Sequence, residues 1–235
     1  ITVEIAEART ARFLVDPSGN TITCTSIAAP GQRQLIEEAA MGPALAVALA
    51  LHDVFCLHAS AALAPQGVVV FLGDSAAGKS TLASYLASQQ GPGWPLVADD
   101  MLALEWREDS LVAHTDFPQP RLAPHAQPGR LVTSPQPLAA LVCLQPESPP
   151  AAGRATVSAA TLPPSEAVHV LASQTLALRL FDRPLTVGHL TFVSQLVSSI
   201  GVVSLRYPHT AVSLPATQNV LESQVLRHAG TAAAK

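Results

Sequence analysis

The sequence predicts an α/β fold, a P-loop domain with a mixed sheet and a β-rich amino-terminal lobe, and three observations predict it. Gly67-Val68-Val69-Val70-Phe71-Leu72 is apolar and β-branched, as a buried strand should be. It runs into Gly73-Asp74-Ser75-Ala76-Ala77-Gly78-Lys79-Ser80-Thr81, a complete Walker A pattern, and Thr81-Leu82-Ala83-Ser84-Tyr85-Leu86 then opens a helical repeat. Further on, the apolar Leu96-Val97-Ala98 ends in the doublet Asp99-Asp100, the order expected of a second strand carrying acids to the same edge of a sheet.

The remaining elements follow from local signals. Thr2-Val3-Glu4-Ile5 and Ala11 to Val15 read as strands, and Asp16-Pro17-Ser18-Gly19-Asn20 is a turn between Val15 and Thr21-Ile22-Thr23. Dense Ala and Leu from Pro43 to His52 predict a buried helix. Val54 to Ala61 reads as one strand, which Pro65-Gln66-Gly67 turns into the Walker strand. Met101 to Trp106 and Leu111 to Ala113 read as extended, joined by a turn at Arg107 to Ser110. A proline-rich stretch follows over residues 116–137, then a strand from Leu138 to Leu144 and a surface turn from Pro146 to Gly153. Helical spacing recurs over Ser165 to Phe181, Leu185 to Ser199 and Thr217 to His228, with a strand at Val202 to Tyr207. The expected organisation is a lobe over residues 1–40, the P-loop domain over 41–229 and a frayed tail over 230–235.

Bulk properties narrow the function. At 235 residues the chain can bury a full core, and with 49% hydrophobic and only 4% aromatic residues that core must be mostly Ala, Val and Leu. A formal charge of −4 offers no basic footprint for nucleic acid. The three cysteines are far apart, so they form neither a disulfide framework nor a CxxC motif, and a reducing, cytoplasmic setting is expected. No apolar run approaches the roughly 18 residues of a membrane span.

The motif explains its own residues. Glycines let successive N–H groups turn inward around a polyphosphate, and the helix N-terminus adds partial positive charge. Gly73, Ser75, Ala76, Ala77, Gly78, Lys79, Ser80 and Thr81 are therefore the expected ATP-binding set. Lys79 would reach the β- and γ-phosphates, and the Ser80 hydroxyl would ligate Mg²⁺. Of the doublet Asp99-Asp100, one acid can hold the metal while the other accepts a proton from an attacking hydroxyl; the competing reading is a turn or helix-cap pair. A hairpin between Val54–Ala61 and the Walker strand would bring His58 beside the loop, although a histidine among apolar residues is also a common core residue. Asp74 orients the loop or is simply solvated. The run from Gly73 also approaches a serine-hydrolase elbow, but Ala77 stands where that motif needs glycine.

Together these residues resemble the kinase domain of HPr kinase/phosphorylase, and more closely its short relatives associated with ribosomally made peptides, including lasso-peptide tailoring kinases. The likeness rests on Leu57-His58-Ala59-Ser60-Ala61, the loop from Gly73 to Thr81, and Leu96-Val97-Ala98-Asp99-Asp100, and extends more weakly to Tyr207-Pro208. It implies phosphorylation of a serine hydroxyl with ATP and Mg²⁺. Carried across by motif, Asp99 is the base, Asp100 and Ser80 hold the metal, and His58 lies near the transferred phosphate. Arg121, in the proline-rich stretch, is the expected substrate contact. The expected partner is a peptide or small protein, with no nucleic acid or membrane, and the relatives imply a homo-oligomer. The chain departs from the full-length enzymes at Ala76, where they carry glycine, and in lacking their Arg-Gly-Arg-Asn-like signature. A nucleotide-binding regulatory or peptide-binding module, and a small-molecule kinase, are the rival readings.

Overall fold

Asp16 turns the chain between its first long strands by accepting the amide of Thr21 on Oδ1 (3.1 Å) and the Ser18 hydroxyl on Oδ2 (2.7 Å), while Gly19 takes a φ of 73°. The computed structural model describes residues 2–4, 11–26, 33–89, 93–108, 110–115, 132, 134–148 and 156–226. Strands β1 (Thr2–Glu4), β2 (Ala11–Val15) and β3 (Ile22–Ser26) form an antiparallel sheet, as the turn predicts. Phe13 and Val15 face inward, onto Ala44, Val47 and Ala48 of the segment that follows.

That segment begins earlier than its alanine-rich part suggests. Helix α1 (Arg33–Ala39) precedes helix α2 (Leu45–Ala50), and a widened turn over Ala40–Ala44 joins them. Gly42 leaves helical geometry there, and Pro43 has no N–H to continue the ladder, so the chain kinks.

Nine further strands form one curled mixed sheet: β4 (Phe55–Leu57), β5 (Ser60–Ala64), β6 (Gly67–Leu72), β7 (Leu96–Ala98), β8 (Leu102–Arg107), β9 (Ser110–His114), β10 (Gln136–Glu147), β11 (Ser158–Thr161) and β12 (Val203–Pro208). The order is β4-β8-β9-β10-β6-β5-β7, with β12 added to β10 and β11 to β12. Parallel pairing joins β6, β10 and β12, whereas β5 pairs antiparallel to both β6 and β7. Helices α3 (Lys79–Ser88), α4 (Pro164–Gln174), α5 (Arg183–Ser199) and α6 (Leu214–Val220) complete the fold.

Strand β6 explains why its sequence does not alternate in polarity. Val68, Val70 and Leu72 pack toward Leu171 of α4 and Leu196 of α5, while Val69 and Phe71 pack toward Leu82 and Leu86 of α3. Both faces are covered, so every residue is apolar, as a strand buried on both sides requires. Each fully buried Val, Leu or Phe contributes about 1.5–3 kcal/mol.

Four sequence expectations need correction. The single strand read from Val54 to Ala61 is broken at His58 and Ala59 into β4 and β5, because His58 turns toward Asp100. The helix read over Ser165 to Phe181 ends at Gln174, whose successor Thr175 is extended and bridges Leu57. Strand β10 runs through Pro146 to Glu147, where a turn was expected, since β12 pairs along it to the end. The last helix begins at Leu214 rather than Thr217, led in by Pro215, whose fixed φ suits a first turn. Strand β11, polar and short, carried no sequence signal. Arg121 and the tail over 230–235 lie outside the described residues. Among the described residues no helix is long and apolar enough to cross a membrane.

Candidate functional site

The loop between β6 and α3 holds three left-handed residues: Gly73 (φ 138°), Ala76 (φ 65°) and Gly78 (φ 87°). Glycine is the natural occupant of such conformations, and Ala76 is the exception. Alternating handedness along a short run is what lets backbone N–H groups converge on one point. Lys79, the first residue of α3, is buried to 8% exposure and folds back so that Nζ donates to Gly73 O (2.7 Å) and Asp74 O (3.2 Å). Burial pushes its ammonium pKa down, against the pull of Asp100, Asp74 and Asp99, which favour the charge.

Ser80 follows on the same helical turn and meets the end of β7. Its Oγ donates to Asp99 Oδ1 at 2.7 Å, and the Ser60 hydroxyl of β5 donates to the same oxygen at 2.7 Å. The two hydroxyls lie 3.3 Å apart. These contacts arise because β5 lies between β6 and β7, so only the strand that carries Ser60 separates the loop from the acids.

Asp100 adopts φ 80° and turns the other way. Its carbonyl accepts from His58 Nδ1 (3.1 Å), and its Oδ1 stands 3.5 Å from the same nitrogen, with both side chains about two-fifths exposed. A carbonyl can only accept, so Nδ1 carries the proton and Nε2 is the acceptor of the neutral ring. His58 is held in turn by its amide, which donates to Gln174 O (2.7 Å). The buried Gln174 side chain, oriented with its nitrogen inward, donates to Gly73 O (3.0 Å) and His58 O (3.2 Å). One amide thereby ties the start of the loop to the histidine.

His58, Ser60, Lys79, Ser80, Asp99 and Asp100 line one open cleft of about 410 Å³ with the loop residues Ser75 to Gly78 and Thr81. A groove of about 670 Å³ adjoins it at His58 and Ser75 and runs along residues 172–180. The structure thus brings together the sequence-expected set apart from Arg121. The carboxylate that shares a proton with Ser80 is Asp99; Asp100 pairs with His58. Among the described residues, no three His, Cys, Asp or Glu side chains cluster as a metal cage. Mg²⁺ does not need one: it binds through one or two carboxylates, a hydroxyl, water and phosphate oxygens, and Ser80 with the acid doublet supplies such hard oxygen donors.

Sequence reasoning missed four contributors. Ser60 stands two residues from His58, the period that returns a strand to the same side, and that spacing was its available signal. Gln174 and His209 come from distant segments and carry no motif, and Tyr207, part of the weaker likeness, was given no role. Tyr207, at the end of β12, is buried and donates its hydroxyl to Ala77 O, pinning the loop from below.

No family model and no curated protein sequence matches the chain. Among solved structures, the HPr(Ser) kinase/phosphatase from Coxiella burnetii matches with 15% sequence identity and a TM-score of 0.40, covering 74% of this chain and 98% of that one.

Proposed function

We propose that the chain is a P-loop kinase that transfers the γ-phosphate of ATP to a serine hydroxyl of a peptide or small protein, such as a ribosomal precursor peptide. The observation that carries the reading is the Ser80–Asp99–Ser60 hydrogen-bond set at the foot of a glycine-rich loop, with Asp100 and His58 facing the same cleft. A loop that merely turned would have no use for a second acid and a histidine beside its lysine.

The triphosphate lies along the N–H groups of Ser75 to Ser80, with Lys79 leaving its carbonyl partners to meet the β- and γ-oxygens. Ser80 and Asp99 would hold Mg²⁺, which when bound neutralises charge on those oxygens. This exchanges the roles expected of the two acids. Asp99 Oδ1 accepts two hydroxyl protons at the foot of the loop, whereas Asp100 lies beside His58, where the groove joins the cleft. Asp100 therefore takes the proton of the attacking serine, and His58, held at Nδ1, orients that carboxylate beside the transferred group. The transfer is an in-line displacement, so the chain's contribution is positioning and charge compensation. The groove along residues 172–180 meets the cleft at His58 and Ser75, which suits an extended acceptor better than a closed metabolite pocket.

The test is incubation with ATP, Mg²⁺ and serine-containing peptides encoded beside its gene, followed by intact mass. One phosphate is gained on serine, and Asp100→Asn abolishes transfer while keeping Mg²⁺-dependent ATP binding. Asp99→Asn instead weakens the Mg²⁺ dependence. Tight ATP binding with no transfer to any peptide refutes the peptide-kinase reading.

A further inference from the structure

A nucleotide whose γ-phosphate faces Asp100 must lead its base away from the acids, out of the loop at Gly78 and Thr81. The sheet order sets where that is. The acids sit beyond β5 on one side of β6, and β10 and β12 lie on the other. At the end of β12 the chain forms a recess of about 140 Å³, which Gly78, Thr81, Tyr207, His209, Ala211 and Leu214 enclose with Thr210. His209 lines both this recess and the cleft that holds the acids. We propose that the recess is the seat of the nucleotide base, with His209 gripping the nucleoside at its mouth; this deepens, and rests on, the nucleotide reading of the loop.

The recess is built rather than incidental. Its turn is tied internally: the buried Ser213 donates through Oγ to Pro208 O (2.6 Å) and Thr210 O (2.7 Å), and Thr210 N donates to Pro208 O (2.7 Å). The amide of His209 donates to Glu147 O (3.0 Å) at the end of β10, fixing the turn to the sheet. The exposed His209 ring stands edge-on to Tyr207, with centroids 6.2 Å apart and planes 84° to one another. Ala211 and Leu214 line a largely apolar recess with Thr81 and His209 beside them, a surface suited to a flat ring. Gly78 makes the approach possible, since a Cβ there would lie 2.5 Å from the Tyr207 hydroxyl and narrow the recess.

The experiment compares ATP with inorganic tripolyphosphate by calorimetry in Mg²⁺, for the unsubstituted chain, Ala211→Trp, His209→Ala and Lys79→Met. ATP binds the unsubstituted chain more tightly than tripolyphosphate. Ala211→Trp, which fills the recess, weakens ATP about tenfold or more while leaving tripolyphosphate within about twofold, and His209→Ala weakens ATP more than tripolyphosphate. Retained tripolyphosphate binding certifies that each variant is folded, and Lys79→Met weakens both ligands. Equal binding of ATP and tripolyphosphate by the unsubstituted chain overturns the base seat, as does an ATP affinity that Ala211→Trp leaves unchanged or a loss that both ligands share. If neither ligand binds the unsubstituted chain, the nucleotide reading of the loop falls, and the base seat with it.

Discussion

Substituting Gly78 by alanine strains the backbone and displaces a neighbour, and the two effects can be separated. Gly78 has φ 87°, in the left-handed region, where a side chain costs roughly 1–2 kcal/mol. The new Cβ would stand 2.5 Å from the Tyr207 hydroxyl, with the ring carbon behind it at 3.7 Å, an ordinary contact. The hydroxyl must therefore move, and it donates to Ala77 O. Losing that bond costs roughly 1–3 kcal/mol, because a buried carbonyl is left without its donor. Gly78→Ala is thus expected to cost about 2–5 kcal/mol, the sum of strain and lost bond. Tyr207→Phe alone should cost about 1–3 kcal/mol, and it removes the atom that alanine would strike. On the Tyr207→Phe background only the strain of about 1–2 kcal/mol remains, so the pair is coupled by at least about 1 kcal/mol. Urea unfolding of the four proteins, followed by circular dichroism at constant m, measures the cycle. Costs that add within about 0.5 kcal/mol would refute the reasoning, because independent sites add to that tolerance.

Other outcomes follow from neighbouring observations. Ala76→Gly relieves roughly 1–2 kcal/mol of left-handed strain against about 0.4–1 kcal/mol of added unfolded-chain freedom, and should stabilise the protein by up to about 1.6 kcal/mol in the same urea assay. His189 is buried and its pKa is depressed by desolvation, so the unfolded chain takes the proton more readily. Its Nε2 lies 2.8 Å from Thr175 Oγ1, whose own proton goes to Leu171 O (2.7 Å), so Nε2 donates, while burial favours the neutral ring. Stability is accordingly full above the unfolded histidine pKa of about 6.5 and falls as pH drops through it toward the lower folded value, a slope that His189→Gln should flatten. Of the three cysteines, only Cys24 is exposed; burial pushes the Cys56 thiol up to about 12 and raises Cys143 as well. A thiol reagent should titrate one group in the native protein and three after unfolding.

What could be read from the sequence was local chemistry, and what could not was set by distant contacts. The strand, loop and helix around Gly73 to Thr81 were legible because each follows from adjacent residues, and the doublet after Val97-Ala98 likewise. The break at His58 was not, since it depends on Asp100 and Gln174, 42 and 116 residues away, while Val54 to Ala61 carries no Gly or Pro of its own. Apolar spacing in Ser165 to Phe181 continues a helix on paper; Thr175 leaves it because Leu57 offers an extended partner and His189 a buried one. The two acids are neighbours in sequence, yet a left-handed Asp100 sends them in opposite directions, which no spacing rule contains.

The hydrogen bond from Tyr207 to Ala77 spans 130 residues, and that separation bears on how the protein is made. On a ribosome the glycine-rich loop emerges long before β12 exists, so its underside stays open to water while more than half the chain is still being translated. Contacts closed over such spans form late, because the entropy of closing the long intervening segment must be met first. Strand β12 also completes the edge of β10, so the same late event finishes the sheet and seats the loop. Ligand competence and release from synthesis are thereby tied together: a nascent or truncated chain that lacks its last strand has a phosphate loop in sequence but not in shape.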